Sequence, residues 1–118
     1  MTSPKVVDLF CGVGGLSLGF QKASFSLEAA FDNWDRALAV YGRNFRHPAV
    51  RCDLANIADT VNLLQQYEFD GIIGGPPCQD FSHAGKRQEG RQADLTYAFA
   101  MTVSICLPMF FVMENVER

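Results

Sequence analysis

The chain has 118 residues, a net charge of −3, 48% hydrophobic residues and 19% charged residues. This length suits one compact domain, and the composition excludes an intrinsically disordered protein. The acidic balance argues against a chain that binds DNA over its whole surface, because duplex binders carry a basic face that contacts phosphates.

The first half of the sequence alternates β-rich and helical segments. We predict strands over residues 5–10, 25–31 and 49–52, and helices over residues 16–23 and 34–45. In the first helix Leu16, Leu18, Phe20 and Ala23 are available for burial. In the second helix apolar residues recur at spacings of three and four, which indicates an amphipathic helix.

The second half continues this alternation. A helix over 58–66 is entered through Asp59 or Thr60 as a cap, and an apolar strand follows over 69–74. Residues 75–94 form a long polar segment with no clear period, before a helix over 95–107 and a strand over 109–113. The pattern favours an α/β fold with a mainly parallel sheet and helices on both faces. In such sheets ligands bind beyond the carboxyl ends of the strands.

A glycine-rich turn over residues 11–15 joins the first strand to the first helix. Glycines let the backbone approach a ligand closely, and a helix amino end favours a negatively charged group. Asp32 ends the second strand about twenty residues later, where nucleotide-binding domains place an acid for ribose hydroxyls. Together they favour an adenosine-containing ligand, either a dinucleotide or S-adenosylmethionine, since Ser17 stands where the dinucleotide fingerprint has its third glycine. Asp53 fits either an adenine contact or a turn.

Residues 74–82 (GGPPCQDFS) hold a cysteine in a rigid setting at a strand end. Two glycines and two prolines precede Cys78, and an ordinary buried cysteine does not require them. A nucleophilic thiol needs a lowered pKa or an acid–base partner, and access to its substrate. Glu114 and Asn115 end the last strand, where Glu114 either faces the same crevice or is an exposed carboxylate.

The other three cysteines, Cys11, Cys52 and Cys106, are predicted to pack as small apolar residues. The cysteines are scattered, with no C-x-x-C pair and no histidines at zinc-ligand spacing, so we predict no metal site and no disulfide framework. The sequence shows no signal peptide and no membrane span, which predicts a cytoplasmic protein.

Three motifs together resemble those of one enzyme family. D-L-F-C-G-V-G-G, G-P-P-C-Q-D-F-S and E-N-V occur in the order and approximate spacing of the first, fourth and sixth motifs of DNA cytosine-5 methyltransferases, from Val6 to Val116. The Pro-Pro-Cys-Gln segment is the specific part, because many folds share the glycine loop. The resemblance implies a Rossmann-like S-adenosylmethionine-dependent methyltransferase fold, with residues 1–118 forming one catalytic domain or subdomain.

The resemblance also implies roles for individual residues. Cys78, Glu114 and Asn115 would be catalytic. S-adenosylmethionine, with S-adenosylhomocysteine as its product, would be bound by Phe10, Gly12, Gly14, Gly15, Asp32, Asn33, Asp53, Leu54 and Pro77. Double-stranded DNA would be contacted by Gln79, Ser82, Lys86, Arg87 and Arg91, although the basic residues among these also fit a solvated loop.

The implied reaction is methyl transfer to C5 of cytosine. Cys78 would add to C6 of a cytosine flipped from the duplex, which makes C5 able to attack the sulfonium methyl. Glu114 would hold the ring near N3 and the exocyclic amine. Loss of the C5 proton and elimination of Cys78 would then restore the ring.

The sequence departs from the family pattern at several places. Asp32 stands where the family has glutamate, and Asn33 occupies the position that often carries an adenine-covering side chain, with Trp34 next to it. The later arginine-rich motif, the target-recognition region and the last strands of the sheet are not found in these 118 residues. We therefore expect the sheet to end at its fifth strand and activity to require a C-terminal segment or a partner chain. Enzymes of this type often belong to bacterial restriction–modification systems.

Two alternatives stay open. The chain is either part of an enzyme or a non-catalytic module that binds an adenosyl ligand as a fragment or regulator. A small-molecule dehydrogenase is the third possibility, which nicotinamide-cofactor binding would support.

Overall fold

The computed structural model describes residues 2–77 and 86–115, except for the side chains of residues 86–94. In this part of the chain, strands alternate with helices as the sequence predicts. The strands are β1 (Lys5–Leu9), β2 (Ser26–Asp32), β3 (Ala49–Arg51), β4 (Gly71–Gly74) and β5 (Phe110–Met113). The helices are α1 (Gly15–Lys22), α2 (Asp35–Asn44), α3 (Ile57–Leu64) and α4 (Lys86–Cys106).

The strands form a five-stranded sheet in the order β3-β2-β1-β4-β5. Every pairing is parallel, so the predicted parallel sheet is confirmed. The chain moves outward from β1 through β2 to β3, and then crosses to β4 on the other side of β1. The strand order therefore reverses between β1 and β4, and a ligand crevice is expected at this reversal.

Apolar residues from both faces of the sheet are buried against helices. On one face Val6 and Ile73 pack with Phe20 of α1. On the other face Leu9, Phe31 and Ile72 pack with Leu64 of α3 and Phe99 of α4. The prediction of helices on both faces is confirmed. None of the helices in the described residues is long and apolar enough to cross a membrane.

Helix α4 corrects the prediction for the polar segment. The helix begins at Lys86, whereas the sequence indicated an irregular segment up to residue 94. Residues 86–94 (KRQEGRQAD) are mostly good helix formers without an apolar stripe. Apolar periodicity reports which face of a helix is buried, so its absence does not exclude a helix.

Two finer predictions about helices were also wrong. The cap of α3 is Asn56, whose side chain accepts a hydrogen bond from the backbone N–H of Asp59 at 3.1 Å. In α1, Leu18 and Ala23 are exposed and Ser17 is the buried residue. The burial of Ser17 has a polar cause, because its hydroxyl donates a hydrogen bond to Asp8 in β1.

Candidate active site

The sheet register brings the predicted site residues to one edge. Leu9 of β1 pairs with Phe31 of β2 and with Gly74 of β4, and Gly74 also pairs with Met113 of β5. The residues that follow these positions therefore lie at the same level, at the carboxyl end of the sheet or just beyond it. They include Phe10, Asp32, Gly75 and Glu114, so the candidate site is built from the carboxyl ends of neighbouring parallel strands.

The turn between β1 and α1 has left-handed backbone at three positions. The φ angles are 61° at Phe10, 55° at Gly12 and 108° at Gly14. A Cβ atom on Gly14 would lie 2.4 Å from the ring of Phe45, so the turn packs directly on the end of α2. Non-glycine residues with positive φ cluster at functional sites, because the surrounding structure has to hold them in that conformation.

Asp32 braces this turn. Its Oδ2 atom accepts a hydrogen bond from the backbone N–H of Gly12 at 2.8 Å. Its Oδ1 atom accepts from the backbone N–H groups of Asn33 at 2.7 Å and Trp34 at 3.0 Å. Each carboxylate oxygen has two lone pairs, so Oδ2 keeps one for a further donor. The sequence predicted an acid facing a ligand and missed its bond to the glycine turn.

A cavity of about 280 Å³ lies at this edge of the sheet. It is lined by Phe10, Asp32, Asn33, Asp53, Leu54, Ala55, Pro77 and Leu95. Six of these are residues that the family resemblance assigns to the cofactor, namely all but Ala55 and Leu95. The three assigned glycines are not among the lining residues. Gly12 is bonded to Asp32, Gly14 packs on Phe45, and Gly15 begins α1.

Asp53 is a turn residue, one of the two alternatives that its spacing left open, and it also lines the cavity. Its Oδ1 atom accepts a hydrogen bond from the backbone N–H of Ala55 at 3.1 Å, and its carbonyl accepts from Asn56 at 2.9 Å. These bonds make it a turn residue that leads into α3. The same side chain lines the cavity. Its turn role therefore places it where it can also contact a ligand.

Glu114 lies against the start of the segment that carries Cys78. Its backbone N–H donates to the carbonyl of Gly74 at 2.8 Å. A Cβ atom on Gly75 would lie 2.9 Å from Oε2 of Glu114, so the carboxylate rests on the Gly75 backbone. Glu114 and Asn115 are both exposed. Glu114 is thus an exposed strand-end carboxylate that also lies against Gly75, the residue after β4.

Several predicted site residues fall outside the described part of the chain. Cys78, Gln79 and Ser82 belong to residues 78–85, of which the structure describes nothing. Lys86, Arg87 and Arg91 belong to α4, but their side chains are not described. Pro77, which lines the cavity, is the last described residue before Cys78.

The three cysteines that the structure describes are unsuited to nucleophilic attack. Cys11 and Cys52 are buried, and Cys106 is half-buried. Burial raises the pKa of each thiol above its ordinary value. A raised pKa keeps the thiol protonated and unreactive. All three cysteines pack with hydrophobic core residues, so the prediction that they pack as small apolar residues is confirmed. Among the side chains that the structure describes, no group of three or more His, Cys, Asp or Glu could hold a metal ion.

A buried polar network that was not predicted from the sequence lies behind the glycine turn. Asp8 is fully buried in β1 and is bonded to Ser17, which is bonded in turn to Tyr41. Burial raises the pKa of Asp8 to about 7. One signal was present in the sequence, because Asp8 is an acidic residue in an otherwise apolar run between Val6 and Phe10.

Sequence comparisons identify a family over nearly the whole chain. The family model described as C-5 cytosine-specific DNA methylase matches residues 4–118. The chain is 54% identical over 115 residues to the Type II methyltransferase M.HindV of Haemophilus influenzae. The matched region covers 97% of this chain and 38% of that relative. It is 50% identical to the Type II methyltransferase M.HgiGI of Herpetosiphon aurantiacus, and the matched region covers 97% of this chain and 91% of that relative. The chain therefore spans only 38% of the length of the first relative but 91% of the length of the second.

Solved structures share the fold. A protein described as a DNA modification methyltransferase encoded within an E. coli prophage superposes with a TM-score of 0.81 at 38% identity, over 97% of this chain and 32% of that chain. The S. pombe Dnmt2 methyltransferase superposes with a TM-score of 0.69 at 17% identity, over 98% of this chain and 35% of that chain. The second likeness concerns the fold alone.

Proposed function

The chain belongs to the C-5 cytosine-specific DNA methylases, and we propose that it forms the methyl-donor pocket and carries the attacking thiol for methylation of cytosine in DNA. Its parallel sheet with helices on both faces is the S-adenosylmethionine-dependent methyltransferase fold. The proposed methyl donor is S-adenosylmethionine, the proposed nucleophile is Cys78, and the proposed product is 5-methylcytosine.

The observation that carries this proposal is the cavity at the carboxyl edge of the sheet. It brings together six residues that the resemblance assigns to S-adenosylmethionine, from the ends of separate strands. The donors and acceptors fit an adenosyl group, since Oδ2 of Asp32 keeps a lone pair for one ribose hydroxyl and Asp53 offers an acceptor for the adenine amine. Phe10 and Leu54 supply apolar surface for the base. Pro77 would meet the methionine portion.

The proposed chemistry begins at Cys78. Its thiolate forms a bond to C6 of the cytosine, and the electrons of the C5–C6 double bond move toward N3 and make C5 nucleophilic. When bound, the cofactor supplies an electrophilic methyl group that C5 takes up. Removal of the C5 proton by a base then expels the Cys78 sulfur with its electron pair and restores the double bond, so the thiolate is regenerated.

Glu114 is proposed to support attack at C6. Its carboxylate rests on Gly75, which follows β4 and precedes Cys78 by three residues in the sequence. A protonated Glu114 would donate to N3 of the cytosine and neutralise the charge that builds up as sulfur adds. Asn115, the next residue, would fix the segment that bears Cys78.

We further propose that β5 pairs with additional polypeptide in the active enzyme. β5 lies at the end of the sheet order and exposes Phe111 and Met113, which are 56% and 42% exposed. Exposed apolar edge strands invite pairing or aggregation. A C-terminal segment or complementing subunit that also recognises the DNA target would cover this edge.

Since relatives are named Type II methyltransferases and come from bacteria, we extend the proposal to a modification enzyme in bacterial cytoplasm.

The experiment that tests the proposal separates binding from chemistry. Calorimetry with S-adenosylhomocysteine tests the pocket, and trapping on duplex DNA that contains 5-fluorocytosine tests the thiol, with any complementing chain supplied. We expect binding by the wild type, by Cys78→Ser and by the control Cys106→Ser, and a trapped adduct with all except Cys78→Ser. Binding without any adduct would instead support the non-catalytic module. An adduct that survives Cys78→Ser would refute the assignment of the nucleophile.

A further inference from the structure

A chain of hydrogen bonds connects half-buried His47 to fully buried Asp8. The Ser17 hydroxyl donates to Oδ2 of Asp8 at 2.5 Å, and the Tyr41 hydroxyl donates to the Ser17 oxygen at 2.8 Å. The Tyr41 hydroxyl also contacts Nε2 of His47. Because the only hydroxyl hydrogen of Tyr41 points to Ser17, Nε2 of His47 must be the donor to Tyr41. All the donors therefore point toward Asp8.

This chain of four side chains lies directly behind the glycine turn. Asp8 is two residues before Phe10, whose positive φ begins the turn. The Tyr41 ring stacks on Phe45 with ring centroids 4.3 Å apart, and both rings meet the space above Gly14. A change in Asp8 or Tyr41 is therefore felt by the glycine turn, whose first residue, Phe10, lines the cavity.

The buried carboxyl of Asp8 is incompletely satisfied. Its Oδ1 atom is buried and has no hydrogen-bond partner among the described residues. An anion in this position costs free energy, whereas protonation removes the charge. Burial is the main reason that the pKa of Asp8 is raised to about 7, and the bond from Ser17 opposes it. Both charge states of Asp8 are thus accessible near neutral pH.

The charges around this network are carboxylates on β2. Asp32 raises the pKa of Asp8, and Glu28 raises the pKa of His47 while burial lowers it more strongly. The other titratable neighbours, the Cys11 thiol and the Tyr41 phenol, have pKa values raised by burial and stay neutral. Coulombic interaction is reciprocal, so the charge of Asp8 is felt at Asp32, which lines the cavity.

We propose that Asp8, Ser17, Tyr41 and His47 form a proton relay, and that the charge of Asp8 makes the pocket prefer a cationic adenosyl ligand over a neutral one. This inference rests on the proposed function and deepens it. S-adenosylmethionine carries one net positive charge on its sulfonium, whereas S-adenosylhomocysteine is neutral overall. An anionic Asp8 therefore favours the methyl donor over its product, and Asp8 is a specificity-determining residue that acts through the field in the pocket.

The relay conserves atoms and protons at each step. In the starting state Asp8 is anionic and His47 is neutral with its hydrogen on Nε2. A solvent proton binds Nδ1 of His47, and Nε2 passes its proton to the Tyr41 oxygen. Tyr41 passes its hydroxyl hydrogen to Ser17, and Ser17 passes its own to Oδ2 of Asp8. One solvent proton has been consumed, Asp8 is neutral, and His47 is neutral with its hydrogen on Nδ1.

Calorimetric titration of both ligands at pH values on either side of 7 tests this inference. For the wild type we expect the affinity for S-adenosylmethionine, relative to S-adenosylhomocysteine, to rise roughly tenfold as Asp8 ionises. Asp8→Asn should show a constant, low ratio. Tyr41→Phe removes the central hydroxyl and should move the rise to higher pH, because Ser17, which donates to the Asp8 anion, is no longer polarised by Tyr41. The control Tyr67→Phe, whose ring contacts Phe31 on the opposite face, should match the wild type.

The inference would be overturned if the ratio of the two ligand affinities did not change with pH in the wild type. It would also be overturned if this ratio had the same pH profile in Asp8→Asn as in the wild type. If Asp8→Asn fails to fold, infrared titration of the carbonyl band of protonated Asp8 still tests the inference. We expect a band that disappears as the pH rises through about 7 in the wild type and at higher pH in Tyr41→Phe. Failure of the wild type to bind either ligand at any pH would refute the proposed pocket. The infrared titration would then decide the relay separately.

Discussion

The Oδ2 atom of Asp32 accepts a hydrogen bond from the backbone N–H of Gly12 at 2.8 Å, which ties the end of β2 to the glycine turn after β1. The same carboxylate caps the N–H groups of Asn33 and Trp34. One side chain therefore fixes the backbone on both sides of the cavity before any ligand arrives. Replacing it should affect the stability of the fold and the ligand affinity together.

For Asp32→Asn we expect a loss of about 1.5–3 kcal/mol in the free energy of unfolding, because the amide has one acceptor oxygen where the carboxylate uses two. Affinity for S-adenosylhomocysteine should fall roughly tenfold or more. Urea unfolding and calorimetry measure the two effects. The control is Asp35→Asn, which breaks an exposed ion pair with Arg51 at 3.4 Å and should change stability by no more than about 0.5 kcal/mol. Equal effects of the two substitutions would contradict the bracing role.

Gly14→Ala tests the packing of the glycine turn on α2. The new Cβ would lie 2.4 Å from the Phe45 ring on a backbone with a φ of 108°, so both contact and conformation are unfavourable. We expect a loss of roughly 2 kcal/mol or more in urea unfolding. Gly19→Ala, in the helix that follows the turn, is the control, because its Cβ meets nothing within 4 Å, and it should stabilise the chain by about 0.5–1 kcal/mol. A neutral Gly14→Ala would show that the turn can move away from Phe45.

Much of this arrangement follows from the sequence, because strand–helix alternation determines where strand ends meet. The five strands, their parallel pairing and the grouping of Phe10, Asp32, Asp53 and Pro77 at one edge all agree with the prediction. Spacing along the chain is enough for this, since a buried parallel strand followed by a helix leaves little choice of connection.

The rest depends on contacts between distant residues. The hydrogen bond between Tyr41 and Ser17 joins helices α2 and α1 through residues that are 24 positions apart in the sequence. The spacing of residues within either helix does not predict this bond. The start of α4 at Lys86 was missed because residues 86–94 show no apolar stripe. Asn56 rather than Asp59 caps α3, because the cap depends on the backbone angles of the residue before the helix.

Gly75→Ala should separate the position of Glu114 from the stability of the fold. The added Cβ would lie 2.9 Å from Oε2 of Glu114, and a flexible carboxylate tip can move away from it at low cost. We expect stability within about 0.5–1 kcal/mol of the wild type and unchanged affinity for S-adenosylhomocysteine. The rate of adduct formation with 5-fluorocytosine should fall roughly tenfold or more, as it should in Glu114→Gln. An unchanged rate would remove Glu114 from the attack step.

The exposed edge strand gives a matched pair of neighbouring phenylalanines. Phe110 packs on Phe25 with ring centroids 6.2 Å apart, whereas Phe111 is 56% exposed. Phe110→Ser should cost about 3 kcal/mol in urea unfolding, and Phe111→Ser should cost less than about 1 kcal/mol. Sedimentation should show weaker self-association for Phe111→Ser, because the apolar edge is interrupted. A large loss of stability in Phe111→Ser would mean that this side chain already has a partner within the chain.

The buried carboxyl of Asp8 predicts how stability depends on pH. The folded chain holds the Asp8 proton up to about pH 7, whereas the unfolded chain releases it near 3.8. Between these values the folded state binds more protons, so the free energy of unfolding decreases as the pH rises. The contribution that is lost by pH 7 is on the order of 4 kcal/mol. His47 acts in the opposite sense below 6.5, because burial lowers its pKa in the folded state.

Asp8→Asn removes the pH-dependent contribution of Asp8 to the free energy of unfolding and leaves that of His47. We expect its free energy of unfolding to stay constant or rise with pH across the interval where that of the wild type falls. Urea unfolding at a series of pH values measures this, and Asp70→Asn, at the opposite end of the sheet, controls for a general loss of negative charge. If the wild type and Asp8→Asn show parallel curves, the Asp8 carboxyl is ionised in the fold at all these pH values. The relay to His47 would then have no proton to carry, and the charge behind the pocket would be the same at every pH in this interval.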